Sequence, residues 1–215
     1  VDELMILDID QSKEGTTEPD LFSITDFVRS CNVPLTYGGG IASVEDAINV
    51  IQAGADKILL NTHQYLNKKL ISELALRLGS QAVVVGIDAR RVNETTHVTY
   101  SHCGTVEQDV SPTEAAKIAE GEGAGEIVIT SIDRDGTLEG YDLELIAKIT
   151  ETVRVPVIAS GGAKDSDCFV DAVQKSRASA VAAGALFHFT ELTPDDARTA
   201  MRDAGIPVRQ VLHSG

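Results

Sequence analysis

Ala124–Thr137, AGEIVITSIDRDGT, decides the fold. Its centre, Ile127-Val128-Ile129, is continuously apolar rather than alternating, as a parallel strand covered on both faces must be. The reading is a strand over Glu126–Ile132 with polar residues gathered at its carboxyl end: Thr130, Ser131, Asp133, Asp135, then Gly136. In α/β barrels and open α/β sheets that end handles ligands.

The stretch recurs. Val1–Asp10, VDELMILDID, aligns on Ala124–Asp133 without gaps, setting Glu3 against Glu126 and Asp10 against Asp133 at an offset of 123 residues. Val33–Gly40, VPLTYGGG, aligns on Val155–Gly162, VPVIASGG, at an offset of 122. Two strand-and-loop units repeated in order at nearly one spacing point to a duplicated half-domain.

Between these anchors, strands alternate with helices. The helices include Asp20–Ser30, with Leu21, Ile24, Phe27 and Val28 on one face, and one capped by Ser43 with Asp46 three residues on. Others are Asn67–Leu78, Pro112–Glu122, Asp142–Thr152, Ser166–Lys175 and Thr193–Ala204, with a short extra one at Leu186–Phe189. The polar connection 92–110 is long, and His97–Ser101 reads as one arm of a hairpin. Seven βα units imply a parallel sheet in a single α/β domain spanning 1–215. The strand Gln81–Ile87 has no repeat partner, because its counterpart would precede Val1. The expectation is therefore a (βα)8 TIM barrel with half-barrel duplication, N-terminally incomplete, its first strand and helix absent. An open seven-stranded sheet is the alternative.

A formal net charge of −15 argues against nucleic acid or an anionic membrane as partner, since both call for a basic surface. Cys31, Cys103 and Cys168 are odd in number and form no CxxC, which suggests reduced thiols in a cytoplasmic protein. No His, Cys or carboxylate spacing suggests a metal, and nothing implies a cofactor.

The strand ends supply the chemistry. Gly39-Gly40 and Gly161-Gly162 expose backbone N–H groups where helices begin, and Asn61-Thr62 and Ala183-Gly184 end the strands that follow. These make two phosphate cradles on one barrel mouth. Asp88, after Val83-Val84-Val85-Gly86-Ile87, and Asp135, beside Gly136, are acid–base candidates, whereas Asp133 reads as a turn cap. Arg90 and Arg91 either hold a phosphate or anchor the long loop. Glu3, Lys57 and Glu126 sit at the opposite, amino ends, as structural charges or as a gate. The histidines show no ligand spacing.

LDID, YGGGI, GADK, NT, SQAVVVGIDARRV, GAGEIVITSIDRDGT, GYD and VIASGGA together resemble the histidine-biosynthesis barrel family, in its imidazole glycerol phosphate synthase cyclase branch, from Val1 to about Arg209. The resemblance implies a lyase that takes ammonia from a glutaminase subunit. It closes an imidazole ring on a phosphoribulosyl-formimino bisphosphate substrate, releasing imidazole glycerol phosphate and an aminoimidazole carboxamide ribotide. It makes Asp88 one of two catalytic aspartates and Asp135 with Gly136 a ligand loop. Gly40, Asn61 and Thr62 become one phosphate site, and Gly162, Ala183 and Gly184 the other. Glu3, Lys57 and Glu126 become three of four charges at an ammonia entrance. Leu59 stands where the family has a small polar residue, and Gly184 where it has a serine. Asp10 and PLTYGGGI lean toward relatives forming amidino sugars for surface polysaccharide, and a non-catalytic phosphate-binding fragment is a third reading. The second catalytic aspartate would precede Val1, so these 215 residues alone are expected not to close the ring.

Overall fold

A computed structural model describes residues 1–9 and 18–209. Asp10 lies outside them, as does most of the polar loop that follows it. Seven parallel strands run in the order β1 (Leu4–Leu7), β2 (Leu35–Gly38), β3 (Lys57–Leu60), β4 (Val83–Arg91), β7 (Glu126–Ser131), β8 (Val157–Ser160) and β9 (Ala180–Val181). The expected hairpin is present: β5 (His97–Ser101) pairs antiparallel with β4 and with β6 (Val106–Glu107).

The sheet is curled. Leu59, Val84 and Val128 form a buried cluster joined by Met5 and Ile158, so side chains from five strands meet along one axis. A flat sheet could not pack Met5 of β1 and Ile158 of β8 against one small cluster with four strands, β2, β3, β4 and β7, between them. The larger core lies outside, between the sheet and its helices, where Val, Ile, Leu and Ala dominate. This is the α/β, TIM-barrel-like architecture that the alternation implied.

The helices are α1 (Leu21–Ser30), α2 (Val44–Gln52), α3 (Thr62–Leu66), α4 (Leu70–Leu78), α5 (Pro112–Gly121), α6 (Leu143–Thr150), α7 (Ser166–Ser176), α8 (Ala185–Phe189) and α9 (Pro194–Asp203). Local chemistry starts them. Asp20 caps α1 by accepting from the Ser23 N–H, and Asp142, 122 residues on, caps α6 by accepting from Leu145. Ser43 and Asp46 close a reciprocal capping box on α2, and Thr193 and Asp196 do so on α9.

Three expectations need correction. Residues 62–66 form a separate helix, too short to show a period in sequence; it is the 123-residue counterpart of α8. Gln81 and Ala82 belong to a 3-10 turn, and β4 runs on to Arg91 because the hairpin pairs with its extension. On α1 only Ile24 is fully buried, while Phe27 stays 46% exposed. The helix flanks β1, an end of the described strand path, so its outer side has less to pack against.

Candidate active site at the carboxyl ends of the strands

Strand alternation sorts the interior into layers. Lys57 and Glu126 open β3 and β7 two residues before the inward-facing Leu59 and Val128, and Glu3, just ahead of β1, stands two residues before Met5. On β4 the inward series is Val84, Gly86, Asp88, which puts Asp88 at the mouth. Burial pushes the Asp88 carboxyl up to a pKa of about 6, the nearby Asn61 amide opposes that, and the negative charge of Asp135 adds to it. Asp135 itself is exposed on the turn after β7.

Gly86 makes room for this arrangement. A Cβ there would lie 3.0 Å from Leu59 Cδ2 and 3.4 Å from Asn61 Nδ2. Gln64 Nε2 donates to the Gly86 carbonyl at 2.7 Å, pinning α3 onto β4 two residues before Asp88. Asn61 Oδ1 and the Tyr65 hydroxyl are buried without a hydrogen-bond partner among the described residues. Burial raises the Tyr65 pKa and the Asp88 charge adds to it. An unpaired acceptor and an unpaired donor beside a carboxyl of raised pKa are a combination more at home in a ligand site than in a plain core. Gln64 and Tyr65 escaped the sequence reading, because five residues of helix announce no face.

The two cradles repeat each other at the level of atoms. Gly39, Gly40, Gly161 and Gly162 all have positive φ, +136°, +65°, +85° and +101°. A Cβ on Gly40 would sit 2.8 Å from the backbone of Glu18, and one on Gly162 2.5 Å from that of Gly140; Glu18 and Gly140 are again 122 residues apart. A Cβ on Gly39 would meet the Asp8 carbonyl oxygen at 2.7 Å, and one on Gly161 that of Ser131 at 2.5 Å. The close approach that forbids a side chain is therefore to a neighbouring segment of the protein itself. Asn61 and Gly184 precede α3 and α8 with similar φ, −120° and −118°, and neither offers a side-chain cap. Thr62 Oγ1 accepts the His102 N–H at 3.1 Å. Beside Ala183, the Ala182 carbonyl accepts the Tyr141 hydroxyl at 2.9 Å. Gly136, at φ +76°, faces open space.

At the amino ends, Lys57 Nζ donates to Glu3 Oε2 at 2.9 Å and to Glu126 Oε1 at 2.8 Å. Burial pulls the Lys57 pKa down, but the bonds to Glu126 and Glu3 outweigh it and leave the pKa raised. The three charges thus form one cluster, on the face opposite Asp88.

The arginines anchor the hairpin. Arg91 grips Asp142 with Nη2 at 2.8 Å and also reaches Glu144 at 3.0 Å, while His97 Nε2 lies 2.9 Å from Asp142. Arg90 lies over the Tyr100 ring at 4.6 Å. Asp133 accepts from the Ser131 hydroxyl at 3.2 Å, consistent with a turn cap. No helix among the described residues is long and apolar enough to cross a membrane.

Comparison with known proteins gives a consistent result. The family described as "Histidine biosynthesis protein" matches residues 1–193. The chain is 43% identical over 210 residues to the imidazole glycerol phosphate synthase subunit HisF of Hyphomonas neptunium, covering 98% of this chain and 82% of that relative. Identity to the subunits of the same name is 42% over 212 residues in Bacillus cereus (strain G9842) and 41% over 210 in Chlorobium limicola, each alignment covering 97% of this chain and 82% of the relative.

Proposed function

The chain belongs to the histidine biosynthesis protein family, and from that premise we propose that it is the ammonia-using cyclase subunit of an imidazole glycerol phosphate synthase. Its substrate carries two phosphates, and the matched cradles are what support this reading most directly. In strand order, β2 and β3 carry one cradle, β8 and β9 the other, and β4 with Asp88 lies between them. A bisphosphate held at both ends lays its reacting centre across Asp88. A carboxyl with a pKa of about 6 is divided between acid and base forms near neutrality, which suits it to accept and return a proton during ring closure.

Asn61 Oδ1 and the Tyr65 hydroxyl offer an acceptor and a donor to the same centre. Asp135 and Gly136, on the exposed turn after β7, close over it from the far side. Ammonia from a partner glutaminase enters at the amino ends, past the Glu3–Lys57–Glu126 cluster, and travels inside through the apolar layer of Met5, Leu59, Val84, Val128 and Ile158. That layer keeps bulk water from the ring-closing step.

The test is a product assay on the full natural chain supplied with ammonium and the bisphosphate substrate. Release of the aminoimidazole carboxamide ribotide is expected. Turnover of a nucleotide-linked sugar instead would move the chain to the amidino-sugar branch, and binding without turnover of either substrate would refute the catalytic reading.

A further inference from the structure

The two cradles share a backbone but not their side chains. Where α8 begins with Ala185 and the buried Leu186, α3 begins with Thr62 and His63. The hairpin after β4 adds His102 to the first cradle alone, tied down by its backbone N–H to Thr62 Oγ1 at 3.1 Å. The His102 ring is held by Ser101 and, behind it, Gln108. Gln108 Nε2 donates to Ser101 Oγ at 2.8 Å, and Ser101 Oγ lies 2.8 Å from His102 Nδ1. With two lone pairs and one hydrogen, Ser101 Oγ can accept from Gln108 and still either donate to Nδ1 of the neutral ring or accept from it when the ring is charged. Ser101 is only 1% exposed, so this orientation is built into the fold rather than left to solvent.

His63 lies close enough to His102 for their charges to repel, and close enough to Asp46 on α2 to feel its attraction. Burial, and after it the His102 charge, lowers the His63 pKa. Among the described residues, the Thr62 hydroxyl, the Cys103 thiol, Ser101 and Gln108 also lie by the pair, and the Arg90 guanidinium donates to the Gly104 carbonyl at 3.3 Å, two residues beyond His102. A phosphate dianion beside two imidazoles favours the charged form of each.

We propose that His63 and His102 form a proton-linked phosphate clamp on the first cradle, so that the phosphate dianion bound there draws protons onto the imidazoles as it binds. The proposal rests on reading the Gly39–Gly40 and Asn61–Thr62 loops as a phosphate site. It makes the two ends of the mouth unequal: the first cradle grips through imidazoles whose charge depends on pH, whereas the cations beside the second, Arg134 and Lys164, are permanently charged near neutrality. A substrate with two phosphates is thereby given one orientation.

Inorganic phosphate is the probe, titrated calorimetrically into the full chain in buffers of different ionisation enthalpy. Net proton uptake is expected near pH ~8, where the probe is already the dianion and releases no proton of its own, with affinity falling by up to about tenfold per pH unit there. His63→Gln and His102→Gln should each abolish most of the uptake, and Gln108→Leu, which frees the ring, should weaken binding about threefold with uptake retained. Gly184→Asp, at the other cradle, should leave proton uptake intact. Imidazole proton resonances of the unsubstituted protein give a reading that no folding defect can spoil, since phosphate should raise the titration midpoints of both rings. Phosphate binding with no proton uptake and unmoved midpoints overturns the clamp while leaving the cradle standing. Absence of any phosphate binding removes the cradle as well.

Discussion

Replacing Asp88 by Asn should make the protein more stable and nearly inactive, with the stability gain confined to neutral and alkaline pH. The magnitude follows from the pKa of about 6 against an ordinary 3.8. The fold favours the neutral carboxyl, so its contribution is fully present below pH 3.8 and is lost as pH rises through about 6. For a fully desolvated group that gap is worth ~3 kcal/mol. Asp88 retains some access to solvent at the mouth, so a discounted value of about 1–2 kcal/mol is the better expectation. For a domain of this size that raises Tm by roughly 2–8 °C at pH ~8. At pH ~3.5 the gain should shrink to a few tenths of a kcal/mol at most, because the carboxyl is then neutral in the fold and largely neutral in the unfolded chain. Ammonia-driven turnover should fall by about 10²–10⁴, the usual share of a general acid–base group. Thermal melts at the two pH values, together with the product assay, check both halves. An equal Tm change at both pH values, or a loss of turnover below about tenfold, would refute the argument that Asp88 is a strained, proton-handling group.

Two further outcomes follow from the same geometry. Lys57→Met removes the cation that holds Glu3 and Glu126 together; glutamine-driven turnover with the partner subunit should fall by about tenfold or more while ammonium-driven turnover holds, and equal losses in both assays would make the cluster merely structural. Gly162→Ala should cost about 2–4 kcal/mol in denaturant titrations, since the Cβ would lie 2.5 Å from the Gly140 carbonyl oxygen at φ +101°, whereas Gly184→Ser has open space and should be neutral within ~0.5 kcal/mol and tighten phosphate binding roughly threefold or more.

The repeat, the parallel α/β order, the caps and the positions of Asp88, the paired glycines and the Glu3–Lys57–Glu126 charges were all legible in the chain. They rest on local rules that one dimension records: continuous apolar runs, capping residues, glycine where φ is positive, and a spacing that reappears 122 or 123 residues later. What surrounds those positions was not legible. That Lys57 bonds both glutamates, that Arg91 serves Asp142 rather than a phosphate, and that Gln64 fastens α3 beside Asp88 each joins residues more than 20 positions apart. The histidines illustrate the limit best. His63 and His102 show no spacing that suggests a site, because the distance between them is set by a hairpin folding back over a strand end. The setting of the pair, the Ser101–Gln108 relay behind one of them and the carboxyl pKa next door exist only once curling the sheet has brought separate loops to one mouth.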